Sequence, residues 1–216
     1  MQLKVIKNYL IDLDGVILDI KYDTFFWGKH IPRVYSDIHN IGYAEAKTIT
    51  TQLFNLKRKT KDWYDIDYWS NMLSIDIQKE KEKEDNMKLI SLLDGSKKFL
   101  EKLKEQEKEP YLVTNAHRKT LNIKLKKYSL KNYFKELICS HELGYIKEEI
   151  QFWHILKNKL GIDFQHTVLI EDTIDNLMAA SSAGLENLVY IGEDIPLSGK
   201  TSLLSVKSLS DLSSTF

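Results

Sequence analysis

The sequence predicts an α/β protein: a doubly wound parallel sheet with a helical unit inserted after its first strand. Three observations carry that expectation. Five short apolar runs have the length of core strands. Amphipathic segments of helical length separate the last four, the alternation expected of βαβ units. Between Asp19 and about Ile90 no clear apolar strand occurs, and the stretch is rich in aromatic residues instead.

Taken in order, "VIKNYLIDL" opens the chain as the first buried strand. Next comes the insertion, in which "YAEAKTITTQLFNLK" and "DIDYWSNML" have the 3.6-residue period of amphipathic helices. The run "KEKEKEDNMK", Lys79–Lys88, reads as a solvated helix face or connector without a function of its own. "GSKKFLEKLKEQ" supplies a helix before the second strand, "PYLVTN". The later strands are "ELICS", "HTVLIED" and "NLVYIG", and the helices between them are "RKTLNIKLKKYSL", "EEIQFWHILKNKL" and "DNLMAASSAG". The Ser-rich end, "SLLSVKSLSDLSSTF", reads as one short edge element and a frayed terminus. The expected division is a sheet domain of residues 1–18 and 91–216 and a helical domain of residues 19–90.

Composition narrows the function. Lys plus Arg and Asp plus Glu both number 31, so no overall charge draws the chain to nucleic acid polymers or anionic membranes. Any anion it selects must be selected by a local site. Cys139 is the sole cysteine, which excludes an internal disulfide and any CxxC motif and suits a reducing, cytoplasmic setting. The N-terminus lacks a signal-peptide pattern, and no apolar run approaches membrane-spanning length.

The chemistry is expected at the carboxyl ends of the strands, where ligands bind in doubly wound sheets. Asp12 and Asp14 interrupt an otherwise apolar strand one residue apart, and strand alternation should turn both to one side. Buried together and unpaired, they would repel at a cost of several kcal/mol. Thr114 and Asn115 end the second strand, Lys147 lies in the loop after the third, and Glu171 and Asp172 end the fourth. Crowded carboxylates of this kind suit Mg²⁺, a hard cation that takes oxygen ligands. Individually each residue has a plainer use: a turn-capping Asp, a strand-end hydroxyl, a surface lysine, carboxylates that cap the next helix. A calcium loop would need Gly at its sixth position, where this chain has Ile17.

As an ordered set, "DLDGV", "LVTNA", Lys147 and "IEDTIDNLMAASSAG" resemble the four motifs of the haloacid dehalogenase (HAD) superfamily, with the insertion where one class of these enzymes carries its cap. Two positions depart from the commonest pattern: Val16 stands where Thr is usual, and Glu148 follows the lysine where Pro is common. The resemblance implies a phosphatase with a Rossmann-like core. Asp12 would be the nucleophile and form an aspartyl-phosphate. Asp14 would act as acid and then base, whereas dehalogenases of the superfamily, which expel halide, lack this residue. Thr114 and the Asn115 amide would hold phosphoryl oxygens, and Lys147 would neutralise nucleophile and phosphate. Mg²⁺ would be bound by Asp12, the Asp14 carbonyl and Asp172, with Glu171 in or near its shell and Asp175 in support.

For the substrate, "DTFFWGKHIPRVY", "DWYDIDYWS", "TNAHRKTLNIKLKKYSLKNYF" and "SHELGYIKEEIQFW" resemble the bacterial GMP/IMP 5′-nucleotidase branch of the superfamily. This implies a small phosphorylated metabolite, a purine 5′-mononucleotide. Trp27, His30, Trp63, Tyr64, Asp67 and Trp69 are the cap residues expected to favour it, with His117 and Arg118 just after the second motif. Packing between cap helices is the plainer use of each aromatic. A sugar-phosphate phosphatase or phosphomutase, or a non-catalytic binding protein of the same fold, are the alternatives.

Overall fold

The computed structural model describes residues 5–192 and 202–213. Among them, six strands form one wholly parallel sheet: β1 (Asn8–Ile11), β2 (Glu109–Thr114), β3 (Glu136–Cys139), β4 (Thr167–Glu171), β5 (Asn187–Ile191) and β6 (Ser202–Val206), in the order β3-β2-β1-β4-β5-β6. A parallel sheet is covered on both faces, and this explains why Asn8, Tyr9, Leu10 and Ile11 are all buried and why these runs read as continuously apolar. The order reverses between β1 and β4. The chain segments leaving those two strands flank the position where doubly wound sheets bind ligands.

Two compact units result. The first takes the chain up to Asp19, Leu92–Asn115 and the chain from Ser129 onward. Its helices are α8 (Ser96–Glu105), α10 (Ile150–Leu160), α11 (Ile174–Ser182) and α12 (Leu209–Ser213). Helix α8 buries Phe99, Leu100 and Leu103 completely, worth roughly 2 kcal/mol each in apolar transfer. Phe152, Trp153 and Leu156 of α10 pack with Leu10, Val113, Ile138 and Leu169 in the core beneath the sheet. The Ser-rich end supplies the expected edge element, β6, which extends the sheet beyond β5, and adds the short helix α12, while residues 214–216, expected as a frayed terminus, lie outside the described residues.

The second unit is Ile20–Ser91 with Ala116–Tyr128. It contains α1 (Lys21–Phe25), a π-helical segment Phe26–His30, α2 (Ile31–His39), α3 (Tyr43–Lys57), α4 (Lys61–Tyr64), α5 (Ile66–Leu73), α6 (Ile77–Lys81), α7 (Glu84–Met87) and α9 (Arg118–Lys127). Asp65 begins α5 because its Oδ1 accepts the N–H groups of Asp67 and Tyr68, at 2.8 and 3.3 Å. Phe26, Phe54, Ile66, Trp69 and Leu73 form this unit's own core.

Helix α9 departs from the expected division, which placed it with the sheet. Polar bonds tie it to the insertion. Lys124 pairs with Asp23 at 2.5 Å and Lys126 with Glu82 at 2.6 Å, and Lys127 donates to the Met87 and Lys88 carbonyls. The charged run Lys79–Lys88 also differs from its expected solvated face. Lys81 is 1% exposed, pairs with Asp23 at 2.8 Å, and lies 4.3 Å from the Phe26 ring centroid and 4.8 Å from that of Tyr22. Among the described residues, no helix is long and apolar enough to cross a membrane.

Candidate active site

Asp12 is the first residue beyond β1, and its N–H donates to the Ile170 carbonyl at 3.0 Å, carrying the β4 pairing one step further. Its buried side chain accepts a hydrogen bond at Oδ1 from Lys147 Nζ at 2.6 Å. The alternation expected to align Asp12 with Asp14 does not apply, because the strand has ended at Ile11. The chain turns at Gly15, where φ is +81°, and the N–H groups of Ile17 and Leu18 return to the Leu13 carbonyl. Half-buried Asp14 therefore belongs to a loop.

Lys147 occupies the middle of the site. Its 1%-exposed ammonium also lies 2.6 Å from Glu171 and donates to the Val113 carbonyl at 3.0 Å. Glu171 serves two purposes. One carboxylate oxygen pairs with the lysine, and the other accepts the N–H groups of Asp172 and Thr173 at 3.1 and 3.0 Å, holding the two residues that lead into α11. The Thr173 hydroxyl donates to Asp172 Oδ1 at 3.2 Å. Thr114 is buried at the end of β2, and the next residue, Asn115, accepts the Lys147 N–H on Oδ1 at 2.9 Å while its Nδ2 donates to Glu148 at 2.8 Å. Asp175 is exposed on the first turn of α11.

One oxygen from each of Asp12, Glu171 and Asp172 falls within 4.8 Å of the others. Three carboxylates thus share one buried cation, and the surplus is negative. Burial, then Glu171 and Asp14, lift the Asp12 carboxyl to about 7 against the pull of Lys147. Burial and Asp12 lift Asp172 to about 6, and burial raises Glu171. Burial pulls the Lys147 ammonium down, but Asp12 and Glu171 outweigh it and hold the group above its ordinary value. A set of crowded oxygen donors whose ionisation is resisted for want of positive charge fits a hard divalent cation. Both Glu171 oxygens are already engaged, so Asp12 and Asp172 are the better placed carboxylates to hold one. Gly15 permits this closeness: a Cβ there would stand 1.9 Å from Asp172 Oδ2.

The model of the haloacid dehalogenase-like hydrolases matches residues 6–184. The chain belongs to this family. It is 32% identical over 180 residues to the GMP/IMP nucleotidase YrfG of Escherichia coli (strain K12), an alignment spanning 83% of this chain and 80% of that one. Among solved structures, the HAD phosphatase of Thermococcus onnurineus superimposes with a TM-score of 0.82 at 21% identity, covering 97% of each chain. The HAD-hydrolase YfnB of Bacillus subtilis, described as bound to magnesium, does so at 0.70 and 20%, covering 96% of each. These structural likenesses share the HAD fold.

The other predicted residues of this HAD hydrolase lie in its helical unit. Trp27 meets Phe26 and Phe54 edge-on, with centroids 5.0 and 5.4 Å apart, and Trp63 packs on Phe54 and Trp69. Trp69 is buried and donates its indole N–H to the Trp63 carbonyl at 3.0 Å. His30 Nε2 lies 2.6 Å from Glu80. These four make up much of the unit's own packing, the plainer use weighed for such residues. Tyr64 is half-buried at the end of α4, and Arg118 half-buried at the start of α9. His117 caps α9, its Nδ1 accepting the Lys119 N–H at 3.3 Å, and a ring nitrogen falls within 4.8 Å of carboxylate oxygens of Asp65 and Asp67. Asp67 is bound by Lys119 at 2.6 and 2.8 Å. Asp65, Lys119, Glu148 and Trp153 lie within the segments that carry the resemblance but are assigned no role there, and only their contacts give them one.

Proposed function

We propose that this HAD hydrolase is a Mg²⁺-dependent phosphomonoesterase acting on purine 5′-mononucleotides, GMP or IMP. The observation that carries the phosphatase reading is Lys147 held between Asp12 and Glu171 at 2.6 Å each, with Asp172 beside them. That arrangement keeps a carboxylate oriented by one of its oxygens while the other can attack phosphorus. The nucleotide reading is supported by the 32% identity to a GMP/IMP nucleotidase over most of both chains.

Asp12 is the nucleophile. Its attack forms the Asp12–phosphorus bond and breaks the ester bond, and Asp14 gives the departing alkoxide its proton. Asp14, now a base, takes a proton from water as that water attacks the aspartyl-phosphate, which releases inorganic phosphate and restores Asp12. An anion approaching a phosphate dianion is resisted by about 4 kcal/mol per charge pair at 4 Å and an effective dielectric near 20. The Lys147 ammonium offsets part of this, and Thr114 and the backbone amide of Asn115 hold the phosphoryl oxygens. A bound Mg²⁺, for which Asp12, Asp172 and the Asp14 carbonyl are the proposed ligands with Glu171 behind them, supplies the remaining positive charge. The test is a screen of phosphorylated metabolites with Mg²⁺, run beside Asp12→Asn. GMP or IMP should lead, and the Asn variant, similar in shape, should be folded and inactive. Turnover that survives the Asn substitution or complete chelation of divalent cations would sink the mechanism.

A further inference from the structure

Lys147 is held at more points than its ammonium requires. Its N–H is taken by Asn115 Oδ1 at 2.9 Å, and its carbonyl accepts the buried indole N–H of Trp153 at 2.7 Å. Asn115 is itself held, because its Nδ2 donates to Glu148 at 2.8 Å. The two bonds agree on which way the amide faces. The two ends of an Asn side chain differ only in being donor or acceptor, and a half-turn would set its NH₂ against the Lys147 N–H, donor to donor. An ionised carboxylate only accepts, so Glu148 draws Nδ2 to itself and leaves Oδ1 for the lysine backbone.

We infer that Glu148 is a positioning residue: through the Asn115 amide, it fixes the backbone from which Lys147 reaches Asp12 and Glu171. The inference rests on the phosphatase reading above. Lysine is a flexible four-carbon stem with about 2 kcal/mol of rotamer entropy, so the placement of its ammonium depends on a fixed backbone. Misplacement by about 1 Å at a reacting centre costs on the order of a hundredfold in rate. The anionic nucleophile and the phosphoryl group come closest in the transition state, so a displaced ammonium should lower kcat more than it raises KM.

The test compares wild type, Glu148→Ala and Glu148→Gln as full chains with Mg²⁺, using the best ester of the screen and Asp12→Asn as the inactive control. Glu148→Ala should lose about tenfold in kcat with KM within about twofold, while Glu148→Gln, which keeps an acceptor, should restore most of the loss. The second readout needs no turnover: the Asn115 side-chain amide resonances, assigned as those missing from Asn115→Asp. They should be slow to exchange with solvent in wild type and Glu148→Gln, and shifted and fast in Glu148→Ala. Unmoved amide resonances in the Ala variant, an undiminished kcat, or a Gln variant as impaired as the Ala variant would each overturn the inference while leaving the phosphatase reading intact. A wild-type chain inactive on every ester, by contrast, would remove that reading and the catalytic part of the inference with it.

Discussion

Burial lifts the Asp12 carboxyl to about 7 and Asp172 to about 6, and this fixes how stability should vary with pH. Both groups hold a proton more tightly folded than unfolded, where their values lie near 3.9. Their contribution is therefore fully present below about pH 4 and, without a cation, is lost as pH rises through 6 to 7. Mg²⁺ competes with protons for the same oxygens. It should raise the melting temperature more at pH 8 than at pH 5, as thermal scans with and without Mg²⁺ would report. An equal shift at both pH values would argue that the ion binds elsewhere. Gly15 offers a second check. An alanine there meets an unfavourable positive φ, worth about 1–2 kcal/mol, and pushes on the Asp172 carboxylate. Gly15→Ala should cost about a hundredfold in kcat/KM and weaken the Mg²⁺ effect on melting.

Among the elements, the Asp23 carboxylate joins three helices of the helical unit, pairing on α1 with Lys81 of α6 and Lys124 of α9. Both lysines are nearly fully buried. Burial works against the ionised carboxylate, but the two ammonium groups outweigh it and hold Asp23 well below the usual range. Removing the shared carboxylate takes an ion-pair partner from two buried ammonium groups at once. Asp23→Asn should therefore cost roughly 3–5 kcal/mol in urea unfolding, whereas Lys124→Met, which leaves one carboxylate against one lysine, should cost clearly less. The reverse order would mean that solvent reaches the lysines. None of this is legible from the pattern "KEKEKEDNMK", because alternating charges look solvated until an aromatic wall is folded over one of them.

For the whole molecule the prediction concerns choice of substrate. A phosphoryl site treats all monoesters alike, so preference must come from residues that meet the remainder of the molecule. In a panel of GMP, IMP, AMP, UMP, CMP and hexose and triose phosphates at equal Mg²⁺, a purine monophosphate should lead sugar phosphates by tenfold or more in kcat/KM, as ~1.4–3 kcal/mol of stacking would give. A sugar phosphate at the head of that panel would end the nucleotidase reading and keep the phosphatase one. Trp69, buried in the core of the helical unit, is a weaker carrier of this preference than the half-buried Trp27, Trp63 and Tyr64.

The sequence by itself determined the parallel α/β sheet, the helical insertion and the residues that gather at the strand ends. Apolar runs separated by helical periods specify such a sheet, and strand ends are where its topology brings distant residues together. It was enough to single out Asp12, Thr114, Lys147, Glu171 and Asp172 before any distance was known. Tertiary structure alone decided which partners those side chains take. It ended β1 before Asp14 could alternate with Asp12, gave Glu171 two backbone N–H groups to hold as well as a lysine, and sent α9 to the insertion. It also turned Glu148, a bare departure from a familiar motif, into the acceptor that orients Asn115. Periodicity reports which face of an element is apolar, whereas ion pairs and amide orientations depend on side-chain contacts between residues dozens of positions apart.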